Sequence, residues 1–173
     1  MITDNPPFAT LTNGRAVGLE SIPLLSVEEL ASTVIDRVEA GQRVAAMFGA
    51  STARPNAMQL YVVLVDDARN RLHSARAEVE GDRFPSLTPR CPQVHLFERE
   101  IAEQFGVIPV GHPWFKPVRY HRSWTGRDAW NRPPDEPILP AVGDFFRVDG
   151  EQVHEVAVGP VHAGVIEPGH FRF

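Results

Sequence analysis

Phe97-Glu98-Arg99-Glu100-Ile101-Ala102-Glu103-Gln104-Phe105-Gly106 runs directly into Val107-Ile108-Pro109-Val110-Gly111-His112-Pro113. Val94, Phe97, Ile101 and Phe105 recur at helical spacing and define one apolar face, while Arg99 and Glu103 stand i, i+4 on another. Pro92 sits where a first helical turn tolerates proline, and Gly106 supplies the stop. Gly111-His112-Pro113 then reads as a turn. A charged amphipathic helix joined to such a turn needs a sheet to cover its apolar side.

The residues upstream supply that sheet. Arg43 to Ala50, Met58 to Val65 and Leu72 to Glu80 read as strands of an antiparallel meander, separated by Ala53-Arg54-Pro55-Asn56 and Asp66-Asp67-Ala68-Arg69-Asn70. Leu60 to Val65 is the most apolar run and is expected at the centre. His73, Ala75, Ala77 and Val79 alternate with polar neighbours, as in a half-exposed strand. Ser26 with Glu29 three residues on is a capping box opening another helix. Val27, Leu30, Ala31, Val34, Ile35 and Val38 share its apolar face, and Gly41 ends it.

The fold class expected is α+β: an antiparallel sheet packed with two main helices, followed by a proline-rich extended arm and terminal β-hairpins. Residues 1–25 form a loose leader with room for one short strand, and 26–113 the α+β domain. Residues 114–145, rich in proline, form an ordered arm lying across a partner or its own domain. In 146–173, Asp149-Gly150 signals a hairpin, and Val156 to Phe173 reads as another strand pair.

Composition excludes several classes of function. With 43% hydrophobic and 23% charged residues in 173, the chain is an ordinary globular protein and not a disordered one. A net charge of -5 opposes nucleic-acid binding, which needs clustered cations. Lys116 is the only lysine, so the positive charge is almost all arginine. Cys91 alone cannot form an internal disulfide, hold an iron-sulfur cluster or build a cysteine zinc site, and points to an intracellular setting. No apolar run approaches the roughly 20 residues that span a bilayer, so membrane contact is expected only through partners.

Two groups of residues invite a chemical reading. Glu98, Glu100 and Glu103 with His112 can be drawn as acid/base machinery, since histidine titrates near neutrality. Helical geometry separates Glu98 from Glu100 by about 200°, which works against convergence, so pairing with Arg99 and fixing of the turn by His112 are expected instead. His154, His162 and His170 with Glu155 and Glu167 can be drawn as a metal site. Their spacing lacks the short helical pair of a zinc motif, and Pro168-Gly169 favours hairpins. No Gly-x-Gly-x-x-Gly, Walker A or Gly-x-Ser-x-Gly motif occurs.

The helix-turn stretch resembles the signature of the 30 kDa subunit of respiratory complex I, an NADH-quinone oxidoreductase, and of the matching domain of membrane-bound hydrogenase and formate hydrogenlyase large subunits. Glu98, Arg99, Glu100, Phe105, Gly106, Gly111, His112 and Pro113 match the family pattern directly. Glu103 takes a usual aspartate place, Ala102 stands where an aromatic is common, and Trp114 to Arg119 depart from the acidic and arginine-rich continuation. A second resemblance lies in the last residues. Gly159, Pro160, His162, Glu167 and His170, within the Gly-Pro-x-His and Glu-Pro-Gly-His-Phe-Arg-Phe wording, look like the opening of a hydrogenase-type large subunit, nearer the formate hydrogenlyase kind than the quinone enzyme. The two cysteine pairs that hold nickel and iron in true hydrogenases are absent from this chain. A fragment of a fused subunit, or a separate gene retaining the junction, is therefore expected.

These resemblances imply a non-catalytic docking subunit or domain, cytoplasmic and peripheral to the membrane, that braces iron-sulfur and large subunits so that electron-transfer distances stay short. Catalytic, cofactor and metal residues are expected in none of its positions; iron-sulfur clusters, quinone or a nickel-iron centre belong to partner subunits. The alternatives are a stand-alone acid/base hydrolase built on the carboxylates and His112, or a soluble binding module without a complex. A hydrolase requires at least two of those groups to converge in a concave pocket.

Overall fold

The computed structural model describes residues 8–119, 122–133, 135–136, 150–158 and 169–172. The chain divides into two units, Met1–Ala141 and Val142–Phe173. In the first, strand β1 (Ala9–Leu11), a 3-10 turn (Leu19–Ser21) and β2 (Leu24–Leu25) precede helix α1 (Val27–Glu39). Strands β3 (Arg43–Ser51), β4 (Ala57–Asp66) and β5 (Arg71–Glu80) follow, then β6 (Arg83–Pro85), a 3-10 turn (Pro92–Val94), helix α2 (His95–Phe105) and β7 (Ile108–Val110).

The expected α+β architecture is present. β3, β4 and β5 form the antiparallel meander, with β4 in the interior. The part of the leader that is described does more than one short strand would. β1 pairs antiparallel and β2 parallel with the same free side of β5, and Phe8 and Ile22 are buried. Short strands with little internal periodicity escape pattern reading because their partners lie far along the chain, Ser74 opposite Ala9 and Arg76 opposite Leu24.

The capping box forms as expected: Ser26 Oγ accepts the Glu29 amide (3.1 Å) and Glu29 Oε2 accepts the Ser26 amide (3.0 Å). Leu30, Val34 and Ile35 of α1 enter the core with Met47, Met58, Leu60, Val62, Leu64, Ala75, Ala77 and Val79. Gly41 follows the helix with φ 98°, a left-handed value that glycine adopts without strain.

Helix α2 differs from its amphipathic pattern. Ile101 and Phe105 face the core, yet Glu98, Arg99, Ala102, Glu103 and Gln104 are buried as well. Covering of the second side comes from the arm and from the Ser86–Thr88 loop. That loop is positioned by a short parallel ladder, Arg83–Pro85 against Ile108–Val110, which brings the chain before α2 beside the chain after it.

In the second unit, β8 (Glu155–Val158) pairs antiparallel with β9 (Gly169–Arg172), in register from Glu155 opposite Arg172 to Val158 opposite Gly169. This is the strand pair expected of the last segment. Gly150 carbonyl accepts the Val153 amide in a turn, while Asp149 lies outside the described residues.

Candidate functional site

The charged residues of α2 converge on backbone. Glu98, fully buried, accepts hydrogen bonds from Ser86 Oγ (2.6 Å), Leu87 N (2.6 Å) and Thr88 Oγ1 (2.5 Å). Three donors on one carboxylate offset the cost of removing its charge from water. His112 Nε2 lies 4.0 Å from Glu98 Oε2 and donates to the His95 carbonyl at 3.1 Å, while its Nδ1 accepts the Trp114 amide at 3.1 Å. Those two bonds assign the tautomer with hydrogen on Nε2. His112 thus fixes the turn, closing Gly111-His112-Pro113 onto the first turn of α2, and Gly111 takes φ 86°.

From there the arm runs alongside α2 from its first turn to its last. Trp114 stacks on His95 (5.7 Å between centroids), with the Arg99 guanidinium 4.9 Å from its ring. Burial, then the Arg99 charge, pushes the His95 imidazole below the ordinary histidine value. Arg99 donates Nε to the Lys116 carbonyl (2.6 Å) and an Nη to that of Pro117 (2.8 Å). One turn on, Glu103 Oε2 accepts the Val118 and Arg119 amides at 3.0 and 2.7 Å. Gln104 Oε1 accepts the Trp124 amide, and its carbonyl accepts the Ser123 and Thr125 hydroxyls.

The arm then folds back. Ala129 N donates to the Ala102 carbonyl (3.1 Å), and Arg132 bridges Glu103 Oε1 (3.0 Å) and Asp128. Gly106 ends α2 at φ 67°, where a Cβ would lie 3.2 Å from Arg127 Cβ and 3.3 Å from Asp128 N. Both its torsion and its neighbours therefore favour glycine.

The residues singled out by the sequence separate into three groups. Glu98, Arg99, Glu103 and His112 are brought together against the loop and arm, with Phe105, Gly106, Gly111 and Pro113 shaping the two helix ends. Glu100 points elsewhere and meets Arg119 at the surface (2.6 Å). Gly159, Pro160, His162 and Glu167 lie outside the described residues, and His170 stands in β9 opposite Ala157. Among the described residues, no three His, Cys, Asp or Glu side chains group as metal ligands, and no helix is long and apolar enough to cross a membrane.

Ser86, Thr88, Gln104, Asp128 and Arg132 escaped the sequence reading although they complete the cluster. Ser86 and Thr88 lie 12 and 10 residues from Glu98, and Arg132 lies 29 from Glu103. No local spacing signals such pairs; the proline-bounded Ser86-Leu87-Thr88 stretch is the one hint, marking a loop with free donors.

Chemically, the two buried carboxylates hold backbone amides, two hydroxyls and a guanidinium of this chain. Glu98 and Glu103 are both fully buried and spend their acceptor capacity on donors of this chain.

Comparison with known proteins adds an independent line. Residues 22–133 match the family described as "Respiratory-chain NADH dehydrogenase, 30 Kd subunit". That span includes α1, the meander, α2 and the arm contacts on α2. The chain is 32% identical over 122 residues to "Hydrogenase-4 component G" of Escherichia coli (strain K12), covering 65% of this chain and 22% of that protein. It is 30% identical over 123 residues to "Formate hydrogenlyase subunit 5" of the same organism, with the same coverage. A shorter match, 34% over 47 residues, joins it to the C/D subunit of NADH-quinone oxidoreductase from Gluconacetobacter diazotrophicus, covering 27% of this chain and 8% of that one. The chain therefore spans 22% of the length of the first two relatives.

Proposed function

Because the chain belongs to the family of the respiratory-chain NADH dehydrogenase 30 kDa subunit, we propose that it is a non-catalytic docking subunit or domain of a complex I-like or membrane-bound hydrogenase complex, bracing the electron-transfer subunits. The observation that carries this reading is the fate of the α2 charges: Glu98, Arg99 and Glu103 are engaged by the chain's own loop and arm, which stiffens a scaffold and leaves no carboxylate of this cluster aimed into an open cleft. Iron-sulfur clusters, quinone or a nickel-iron centre then belong to partner subunits, and the complex sits on the cytoplasmic side with this chain peripheral to the membrane. Matches of 122 and 123 residues to two hydrogenase-system components, against 47 to a quinone reductase subunit, favour a hydrogenase-type parent.

A stand-alone hydrolase is disfavoured by the same geometry. Glu98 and His112 do approach each other, at 4.0 Å, but both side chains are fully buried and already hydrogen-bonded to the protein, so a substrate would have to displace structural bonds.

Affinity purification of the tagged full chain from its native membranes in mild detergent tests the proposal. Iron-sulfur and hydrogenase-like or quinone-reductase subunits are expected with it. Recovery of the chain alone, under conditions that keep other respiratory complexes intact, would sink the docking role.

A further inference from the structure

We infer that His95 and His112 form a proton-operated latch at the root of the arm: proton uptake by either ring frees residues 111–115 from α2, while the arm beyond stays clamped. The device concerns this chain alone and does not depend on the docking role. Each ring uses one bare nitrogen to accept from a group that can only donate. His112 Nδ1 takes the Trp114 amide at 3.1 Å, and His95 Nε2 stands 3.5 Å from Arg99 Nη1. A proton added to either nitrogen sets N–H against N–H, so the contact there has to break. His112 has no second site to offer, because its Nε2 already donates to the His95 carbonyl at 3.1 Å. The His112 side chain is also fully buried, so solvent reaches its Nδ1 only when the turn opens.

Both threatened contacts secure the same short segment. Trp114 stacks on His95, and Arg99 and Lys116 lie over its ring at 4.9 and 5.6 Å. A charged His95 becomes a third cation at a ring that already faces two. Trp114 is 54% exposed, so detaching it uncovers less than half of its surface. The charged and titratable groups facing His95 are Arg99, His112, whose ring centre is 5.2 Å away, and Glu98. Burial first, then Arg99 and His112, hold its imidazole below the ordinary histidine value, with Glu98 opposing. Glu98 is itself engaged by Ser86, Leu87 and Thr88, and it approaches His112 from the Nε2 side, away from the Trp114 amide. The latch is therefore closed at neutral pH and loosens as pH falls below about 6.5. Farther along, Arg99 holds the Lys116 and Pro117 carbonyls and Glu103 the Val118 and Arg119 amides, bonds that use no imidazole.

Amide exchange of the full chain, corrected for the intrinsic effect of pH, is the test. Titrated downward from about pH 7.5, the Trp114 amide is expected to lose protection at least about tenfold while Val118 and Arg119 keep theirs. His95→Gln combined with His112→Asn offers an amide oxygen in place of each bare nitrogen and removes both titrating rings. In that variant Trp114 protection is expected to stay level over the same range. Protection of Trp114 that persists until Val118 and Arg119 open overturns the inference, and so does its loss at the same pH in the double variant. Should the variant not fold, imidazole nitrogen shifts of the parent chain decide. Opening at Trp114 is expected to track the titration of His95 or His112, and opening that tracks neither overturns the latch.

Discussion

Replacing Glu103 by glutamine tests the cluster most sharply, because the partners of its two oxygens cannot exchange roles. Oε2 faces the amides of Val118 and Arg119, and Oε1 faces the Arg132 guanidinium. All three are obligate donors. Whichever way the glutamine amide is turned, its NH2 meets a donor: either two backbone N–H groups or a cation. Hydrogen bonds to charged groups contribute about 1.5–3 kcal/mol each, and an unpartnered buried donor costs about 1–3 kcal/mol. Arg132 keeps Asp128 and some solvent, so one such loss is the fair count for glutamine, about 2 kcal/mol. Glu103→Ala leaves both amides without an acceptor and takes the buried partner from Arg132, and is expected to cost about 3–5 kcal/mol, in the range for breaking a buried pair. At about 2–4 °C per kcal/mol for a chain of this size, Glu103→Gln should lower Tm by about 4–8 °C. Glu100→Gln, which loses only a surface pair with Arg119, should change stability by less than about 1 kcal/mol. Urea unfolding measures the totals, and exchange at Val118 and Arg119 locates them. A Glu103→Gln protein as stable as the parent, with those two amides still protected, would refute the account of how the arm is held.

Gly49→Ala is expected to destabilise by about 1–3 kcal/mol: the added carbon meets Met58 Sδ and the Phe105 ring at 2.6 Å, and overpacking outweighs the entropy that alanine removes from the unfolded chain. A rise in Tm would contradict that contact. For His95, burial and Arg99, with His112 adding, hold the folded imidazole below its ordinary value, opposed by Glu98. The unfolded chain then takes up its proton first, so stability falls as pH drops from about 6.5 toward the lower folded value. Urea titrations at about pH 7.5 and about pH 5 should show the fall, with His95→Gln flattening the slope; an unchanged slope would count against it.

Periodicity carried the sequence reading where partners were near. The capping box at Ser26, the meander and the apolar face of α2 all rest on spacings of two to four residues, and each appears in the structure. The leader's pairing with β5 did not announce itself, because two- and three-residue strands carry no pattern of their own. The second buried face of α2 was hidden for a related reason. Glu98 and Glu103 look like surface charges until the Ser86–Thr88 loop and the 116–132 arm are placed against them, and only tertiary structure brings those donors in. At His112 the glycine and proline on either side already constrain the backbone, and its ring bonds the His95 carbonyl and the Trp114 amide.

Several of the bonds that hold the arm to α2 reach peptide groups: the carbonyls of Lys116 and Pro117 and the amides of Val118, Arg119 and Trp124. Every residue has a carbonyl and nearly every residue an amide, so in these bonds the helix grips the path of the arm, while Arg119, Ser123, Thr125 and Arg132 add bonds that depend on their side chains. At Pro117 and Val118 it is the backbone that makes these bonds. Those two positions can change side chain and keep the bonds, whereas Arg119, Ser123 and Trp124 also hold the arm through their side chains, so the strap is fixed at one end by its path and at the other by its sequence.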